Sequence, residues 1–227
     1  MTGTTVRKSR ESRSMTQKAL ASRLGVSQGY VSQLENGGRK VSPRLQKKLA
    51  SVLDMGPTAL PLPNAVKSLT GDAVACGLGQ LGYRPFAHHR AAGAMNPAQL
   101  VLGALLSREL DSRLAEGLAW LLARYPELDW TWLLPRVKQH DLQNRLGFLL
   151  ELAGSVARAS RNSAGTDMLD NYRTLLEKSR LDRDEPLSSL GMTQADQRWL
   201  LAHRSPEAQR WRVLSSLRPE TVAHAGH

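Results

Sequence analysis

Residues 15–37 read MTQKALASRLGVSQGYVSQLENG, and this stretch decides the fold of the N-terminal part of the chain. Apolar residues recur at helical spacing between Leu20 and Leu24 and predict a first short helix. Gly25 follows, and glycine often ends a helix because it enters the left-handed conformation without a steric penalty. Ser27 is a favourable N-cap for a second helix that begins at the next residue. The stretch therefore predicts two short helices joined by a tight turn.

The second of these helices is expected to have an apolar face and a polar face. Val31 and Leu34 supply the apolar face. Two amides, a glycine and a hydroxyl project to the other side: Gln28, Gly29, Ser32 and Gln33. Such a surface suits the edges of DNA bases, because a glutamine amide can form two hydrogen bonds with adenine. The polar face therefore predicts direct contacts with bases in a major groove.

The order and spacing of these residues resemble the helix-turn-helix domain of lambdoid phage repressors and Cro proteins, the XRE-type regulators. The residues that carry the resemblance are Thr16-Gln17, Leu20-Ala21, Gly25-Val26-Ser27, Val31-Ser32 and Leu34-Glu35-Asn36-Gly37. It covers roughly residues 4–55. The resemblance implies a small helical bundle in which the positions of Gln28, Gly29, Ser32 and Gln33 reach bases. It also implies that Gln17 meets the phosphate backbone and buttresses the recognition helix, while Tyr30 lies along a phosphate strand.

The charge distribution supports an anionic partner. The chain has 31 Lys and Arg against 20 Asp and Glu, a net charge of +11. Residues 1–55 hold eleven of the basic side chains and three of the acidic ones, so most of the excess lies in this part. A basic excess on one small domain is typical of polyphosphate binding. Asn36, Arg39 and Lys40 follow the recognition helix directly and are expected to contact the DNA backbone.

Composition narrows the class of protein further. The single cysteine, Cys76, excludes an internal disulfide and any multi-cysteine zinc site. The basic N-terminal residues contain no apolar segment of the kind found in a secretory signal, and no stretch is long and apolar enough to cross a bilayer. We therefore expect a cytoplasmic protein that does not associate with membranes.

The chain is expected to divide near residue 60. Residues 1–55 form the predicted helix-turn-helix domain, whose last helix begins at Pro43 behind the cap Ser42. Residues 56–64, GPTALPLPN, are expected to be an extended proline-rich linker, because proline breaks helices and strands alike. Residues 65–227 hold all five tryptophans and are expected to form a larger domain with its own aromatic-containing core. That domain would serve oligomerisation, sensing or an antitoxin function.

The C-terminal part reads as a series of helices. Apolar residues recur at three- and four-residue spacing in segments 110–125, 128–140 and 142–157, and later amphipathic segments lie near 166–180, 193–203 and 206–217. Strand-like alternation is hard to find anywhere. The fold class predicted for the whole chain is mainly α, a small repressor-type helix-turn-helix bundle followed by a larger helical domain.

A second resemblance concerns this helical part. It is similar to the C-terminal region of AbiEi-type abortive-infection antitoxins, on the residues Leu128-Asp129-Trp130, Leu133-Leu134 and Asn144-Arg145-Leu146-Gly147-Phe148-Leu149-Leu150-Glu151. The loose similarity spans residues 100–218. The resemblance implies negative autoregulation in a bacterial phage-defence or toxin–antitoxin operon and a toxin encoded nearby. It transfers no site residues.

No pattern predicts catalysis, a metal ion or a cofactor. Gly77, Gly79 and Gly82 have the spacing of a dinucleotide-binding loop, but Ala73 to Cys76 is at best a weak strand and Tyr83-Arg84-Pro85 follows instead of a helix. The acid that such a loop needs about 20 residues on is also missing, since position 102 is Leu and the nearest acid downstream is Glu109. His88-His89-Arg90 reads as a polar loop, and Asp141 as a helix cap rather than half of a catalytic dyad. We therefore expect that the protein is not an enzyme and has no catalytic, metal or cofactor site.

These observations predict a sequence-specific transcriptional repressor that binds double-stranded DNA. One small module makes few contacts, so a homodimer on an inverted-repeat operator is expected. The alternative from another class is an antitoxin that acts mainly by protein–protein interaction through its helical C-terminal domain, with DNA binding secondary. Two further alternatives stay open: an enzyme with a DNA-targeting module, and a regulator with a ligand pocket among its helices.

Overall fold

The computed structural model describes residues 1–89, 95–188 and 191–222. It divides the chain into two compact units, Met1–Pro63 and Asn64–His227. Helices dominate both units, and each of the two strands found in the described ranges is only two residues long. The prediction of a mainly α fold is confirmed.

The first unit is a bundle of short helices. Their bounds are Gly3–Glu11 (α1), Gln17–Leu24 (α2), Gln28–Glu35 (α3), Pro43–Val52 (α4) and a 3-10 helix Pro57–Ala59. Gly25 ends α2 with a φ of 70°, in the left-handed region. Ser27 begins α3, because its hydroxyl accepts a hydrogen bond from the backbone N–H of Tyr30 at 3.2 Å. The predicted pair of helices and the turn between them are confirmed.

Local capping explains where the other helices of this unit begin. Thr2, Thr16 and Ser42 each precede a helix in an extended conformation and accept a hydrogen bond from a backbone N–H of its first turn. Pro43 occupies the first turn of α4, where no N–H is needed. Such a cap stabilises a helix by about 1 kcal/mol. Helices this short depend on these caps and on their packing.

An aliphatic core joins the four α-helices of the first unit. Val6 of α1, Leu20 of α2, Val31 of α3 and Leu49 of α4 are each fully buried and belong to one cluster. Burial of one such side chain contributes about 1.5–3 kcal/mol. The core therefore holds the inner face of α3, and only the opposite face of that helix is left for a partner.

The proline-rich segment differs in part from the extended linker that was predicted. Residues Pro57–Ala59 form the 3-10 helix. The Gln46 side-chain amide donates a hydrogen bond to the carbonyl oxygen of Ala59 at 2.9 Å, which ties this turn to α4. Proline at the first position of the turn supplies a suitable φ. The compact unit accordingly extends to Pro63.

The second unit is larger and also helical. Its α-helices are Gly71–Gln80 (α5), Pro97–Leu105 (α6), Ser112–Arg124 (α7), Trp130–Gln139 (α8), Gln143–Ala159 (α9), Ser163–Glu177 (α10), Gln194–His203 (α11), Pro206–Arg210 (α12) and Pro219–Val222 (α13). A 3-10 helix covers Arg84–Phe86. The strands Glu185–Pro186 (β1) and Val213–Leu214 (β2) pair in parallel, with Glu185 opposite Val213.

Helix α9 forms the centre of the second unit. Most of its residues are buried, and it packs against α7 and α10. Trp211 is fully buried against it. A Cβ atom at Gly147 would lie within 2.1 Å of the Trp211 ring, so only glycine allows this approach. The indole Nε1 of Trp211 donates a hydrogen bond to Oε2 of Glu151 at 3.1 Å, which satisfies the one polar atom of the buried ring.

The aromatic core does not include every tryptophan. Trp130 is 3% exposed and stacks on Tyr172 with ring centroids 4.1 Å apart. Trp199 is 53% exposed, and no residue of its helix α11 is buried. Trp130 and Trp211 confirm the predicted aromatic-containing core, and Trp199 lies outside it.

Two local predictions in the second unit are wrong. The segment 206–217 is helical only to Arg210, because Arg212 adopts a φ of 52° and the chain then enters β2. Asp141 does not cap α9, since it has a φ of 56° and its carboxylate accepts a hydrogen bond from Arg183 at 3.4 Å. The residue at the N-cap position of α9 is Leu142, which has no capping side chain.

Candidate nucleic-acid interface

The outer face of α3 is polar and accessible. Gln28, Gly29 and Gln33 are exposed, and Ser32 is half-buried. On the inner face, Val31 and Leu34 are buried. The four predicted base-contacting residues therefore lie on the side of α3 that the core leaves uncovered. A Cβ atom at Gly29 would meet no atom within 4 Å, so the surface beside it is open.

A buried ion pair lies under the C-terminal end of α3. Glu35 is 5% exposed, and its Oε1 accepts a hydrogen bond from Nε of Arg10 at 2.6 Å. Its Oε2 accepts a second hydrogen bond from the same guanidinium at 3.0 Å. Arg10 also donates to the carbonyl oxygen of Met15 at 2.7 Å. These contacts, including a bidentate pairing of Arg10 with Glu35, connect α1, α3 and the loop before α2 in a fixed geometry.

Gln17 completes this arrangement. Its Nε2 donates a hydrogen bond to Oε2 of Glu35 at 2.8 Å, so the first residue of α2 is connected to the last residue of α3. The side chain is half-buried. This contact is compatible with the buttressing role that the family resemblance implies for Gln17.

The ionisation of the pair follows from its surroundings. Burial alone would raise the pKa of the Glu35 carboxyl group, but hydrogen bonds from Arg10 and Gln17 outweigh it, and that pKa lies below its ordinary value. The hydrogen bond to Glu35 raises the pKa of the Arg10 guanidinium. Both groups are therefore charged at neutral pH, and neither is directed toward a partner.

The Arg10–Glu35 pair does not follow from the helical periodicity of the sequence, although one feature of the sequence indicates part of it. Glu35 falls at the helical spacing of Val31 and Leu34, on the inner face of α3. A carboxylate at such a position needs a buried partner, because an unpaired buried charge is strongly unfavourable. Arg10 was counted among the cations available to an anionic partner, and the structure shows instead that its charge is used inside the bundle.

The loop after α3 brings Arg39 back to the polar face. Nε of Arg39 donates a hydrogen bond to Oε1 of Gln33 at 3.1 Å. The guanidinium carbon lies 4.8 Å from the centre of the Tyr30 ring, within the range of a cation–π contact. Gly37, with a φ of 77°, allows the chain to turn at this point. Tyr30, which is half-buried, and the exposed Gln33 and Arg39 therefore form one group, which we call the Arg39 cluster.

Two further polar residues lie at the same end of the helix. Asn36 is the C-cap residue of α3 and is exposed, and Lys40 is exposed in the following loop. Lys48 has a structural role in the first unit. Its Nζ donates a hydrogen bond to the carbonyl oxygen of Leu24 at 2.6 Å and so caps the C-terminus of α2. Such a cation is favourable at a helix C-terminus.

The second unit contains a cavity of about 380 Å³ between the start of α5 and α7. His89 and the carboxylates of Asp72, Glu109 and Asp111 contribute to its lining. Two of these carboxylates already have structural roles, because Glu109 accepts from the backbone N–H of Gly71 and Asp111 caps α7. Within residues 1–89, 95–188 and 191–222, no group of three or more His, Cys, Asp and Glu side chains is arranged so that it could hold a metal ion.

The glycines with dinucleotide-loop spacing have packing roles instead. Gly77 and Gly79 lie inside α5, so the segment expected to be at best a weak strand is helical. A Cβ atom at Gly79 would lie 2.1 Å from the carbonyl oxygen of Phe86. The rings of His88 and His89 pack together, 4.3 Å apart, while Arg90 lies outside the described residues.

The fold and the polar face of α3 define a helix-turn-helix DNA-binding domain. The comparison with family models agrees, since residues 6–60 match the helix-turn-helix family HTH_3. The first unit is therefore a helix-turn-helix domain of the XRE type, and the protein is a DNA-binding transcription regulator. Searches of the curated proteins and of the solved structures gave no significant match. No helix in the described part of the chain combines the length and the apolar character that a membrane span requires.

Proposed function

We propose that the protein is a sequence-specific transcriptional repressor that binds an inverted-repeat operator as a homodimer and represses its own operon in the cytoplasm. The observation that carries this proposal is the polar, exposed face of α3 on a bundle locked by the Arg10–Glu35 pair. A rigid helix with an uncovered polar face fits a major groove. Repression then needs only occupation of the promoter, without any catalytic step.

The polar residues divide into two roles in this proposal. Gln28, Gly29, Ser32 and Gln33 read base edges. The residues that fix the protein on the DNA backbone are Gln17, Tyr30, Asn36, Arg39 and Lys40. Support for the division comes from their positions, since the first set lies along the outer face of α3 and most of the second set lies at its C-terminal end.

Binding of the full chain to the DNA upstream of its own gene tests this proposal. Footprinting is expected to show protection of a short inverted repeat. The Gln28→Ala variant should lose preference for the repeat over random duplex, whereas Lys40→Ala should weaken binding to both and reduce the salt dependence. Equal losses on both duplexes for the two variants would contradict the division of roles. Absence of any protected repeat would contradict autoregulation.

The proposal also covers the role of the regulator in its operon. We infer from the resemblance of the second unit to AbiEi-type antitoxins that the protein is the antitoxin and regulator of a toxin–antitoxin or phage-defence system. The alternative is that it acts chiefly through protein–protein contacts of the second unit with a toxin encoded nearby. The two possibilities differ in whether neutralisation of the toxin requires binding to DNA.

Co-expression with the product of the neighbouring gene separates these possibilities. The full chain with Gln28→Ala and Gln33→Ala leaves the second unit unchanged. Continued rescue from toxicity by this variant would favour direct interaction, and loss of rescue would favour control by repression. A neighbouring product that is not toxic would contradict both.

A further inference from the structure

The geometry points to Arg39 as the residue that positions Gln33, and to guanine as the base that this pair selects. The inference rests on the proposed function, because it assumes that α3 enters a major groove. It gives Arg39 a role in sequence preference in addition to its charge. It also assigns one base to each half-site of the operator.

The hydrogen bond between the two side chains fixes the orientation of the Gln33 amide. Nε of Arg39 donates to Oε1 of Gln33 at 3.1 Å, so the oxygen end of the amide faces the guanidinium. The Nε2 end, with its two N–H groups, therefore points away from Arg39. The Tyr30 ring lies against the guanidinium, with 4.8 Å between the ring centre and the guanidinium carbon, and restricts its movement.

The amide of Gln33 presents its donor end, because one of the two lone pairs of Oε1 already accepts a hydrogen bond from Arg39. Arg39 uses the one N–H on Nε for this contact and keeps the N–H groups of its two terminal nitrogens for the DNA backbone. Gln33 keeps the two N–H groups of Nε2. Adenine needs an acceptor for its N6 amino group and a donor for N7, whereas guanine offers two acceptors, O6 and N7. With Oε1 engaged by Arg39, the donor end of the Gln33 amide favours guanine over adenine.

Gln28 provides an internal contrast on the same helix. Its side chain is exposed, and it has no hydrogen-bonded partner within the described ranges of the chain. Its amide can rotate to present both a donor and an acceptor, which is the arrangement that adenine requires. The two glutamines of α3 therefore differ in the base that they favour, although their side chains are identical.

Selection of duplexes from a random library by the full chain, followed by competition binding, tests the inference. We expect one position in each half-site at which guanine is preferred over adenine by tenfold or more, the range of one good side-chain-to-base contact. Arg39→Lys keeps the positive charge but lacks the Nε donor. This variant should lower the preference at that position to about threefold or less while the salt dependence of binding is retained.

Lys40→Ala is the matched control, because it removes a charge from the same loop without touching Gln33. It should reduce the salt dependence and leave the preference for guanine intact. Gln33→Ala should abolish that preference, and Arg39→Lys added to it should change the base profile no further. Substitution of 7-deazaguanine at the selected position should weaken DNA binding by the wild type more than DNA binding by the Arg39→Lys variant.

Failure of this inference and failure of the proposed function would give different results. Binding of the wild type to all duplexes alike, with no selected sequence, would overturn the proposed function itself. A selected sequence without the guanine position, or an Arg39→Lys variant with the base profile of the wild type, would overturn this inference alone. Circular dichroism of each variant checks the fold, which substitution of the exposed Arg39 should leave unchanged.

Discussion

Arg10 and Glu35 show how a single pair of residues determines the position of the recognition helix. Both side chains are removed from water, and each satisfies the other in a fixed geometry. Desolvation of two charges is expensive, so such a pair contributes less net stability than its short distances suggest. The pair instead restricts how the two helices can be arranged, since a guanidinium and a carboxylate match in few orientations. The pair therefore fixes the end of α3 relative to α1.

Removal of one partner is expected to destabilise the first unit strongly. Arg10→Met leaves the Glu35 carboxylate buried with only Gln17 as a partner, and we expect a loss of about 3–5 kcal/mol in the free energy of unfolding. Replacement of both residues, Arg10→Met with Glu35→Leu, should recover most of this loss. Urea unfolding of the full chain, followed by the amide NMR signals of residues 3–52, measures the effect. A single variant as stable as the wild type would show that the pair is not formed.

The same carboxylate makes the stability of the first unit depend on pH. The pKa of Glu35 lies below its ordinary value of 4.5 in the folded state, because hydrogen bonds from Arg10 and Gln17, aided by the charges of Arg10 and Arg7, outweigh the effect of burial. Its contribution to stability is therefore complete above pH 4.5 and is lost as the pH falls through the lower, folded pKa.

Comparison with Glu35→Gln isolates this contribution. The variant cannot titrate at this position, so the difference in unfolding free energy between it and the wild type should shrink as the pH is lowered from 7 to 3. The other carboxylates of the unit, Glu11 and Asp54, are present in both proteins and cancel in the difference. The same NMR-detected urea titration measures it. A difference that stays constant over this range would contradict a lowered pKa.

The residues of the interface were predictable to different degrees. The outer positions of α3 follow from local helical periodicity, and the exposed positions of Gln28 and Gln33 agree with it. The Arg10–Glu35 contact joins residues that are 25 positions apart, and periodicity does not identify the partner. The return of Arg39 onto Gln33 depends on a loop with two glycines, whose conformation no repeating pattern specifies.

At the scale of the elements, Gly147 and Trp211 decide how the C-terminal segment packs on α9. The ring of Trp211 occupies the space in which a side chain at Gly147 would lie. The helix before Trp211 ends at Arg210, and the strand β2 begins two residues after this contact. The parallel pairing of β1 with β2 then follows, because Val213 and Leu214 reach Glu185 and Pro186.

Gly147→Ala is therefore expected to destabilise the second unit by about 1–3 kcal/mol, the usual penalty for overpacking a core. The Trp211 ring would have to move away from α9 and lose its hydrogen bond to Glu151. Gly154→Ala is the matched control on the same helix, because the nearest atom there belongs to the flexible end of Arg158. Urea unfolding followed by tryptophan fluorescence measures both, since all five tryptophans lie in this unit. Equal stabilities for the two variants would contradict the packing argument.

Helix starts were easier to predict than the elements near the C-terminus. Ser27 and Ser42 cap the helices that their local sequences indicated, because a cap involves only the next three residues. The strands β1 and β2 are two residues long and lie far apart in the chain, too short for alternation to be recognised. The segment 206–217 satisfied helical periodicity, but tertiary packing of Trp211 overrode it.

At the scale of the whole molecule, the proposed homodimer predicts a strict dependence on operator spacing. Two rigidly associated copies of α3 can enter successive major grooves only when the half-sites are about 10–10.5 base pairs apart, on one face of the duplex. Insertion of five base pairs moves one half-site to the opposite face. The full chain should then lose tenfold or more in affinity, and insertion of ten should restore part of it.

Fluorescence anisotropy with the full chain measures these affinities, and sedimentation gives the number of chains on each duplex. An operator whose central base pairs are changed without a change in length controls for altered DNA deformability. Two chains per intact operator with loss at five inserted base pairs would support a dimer that binds as one body. Two chains with the same affinity at every spacing would instead mean that each first unit binds alone, and the second unit would then need a role other than oligomerisation.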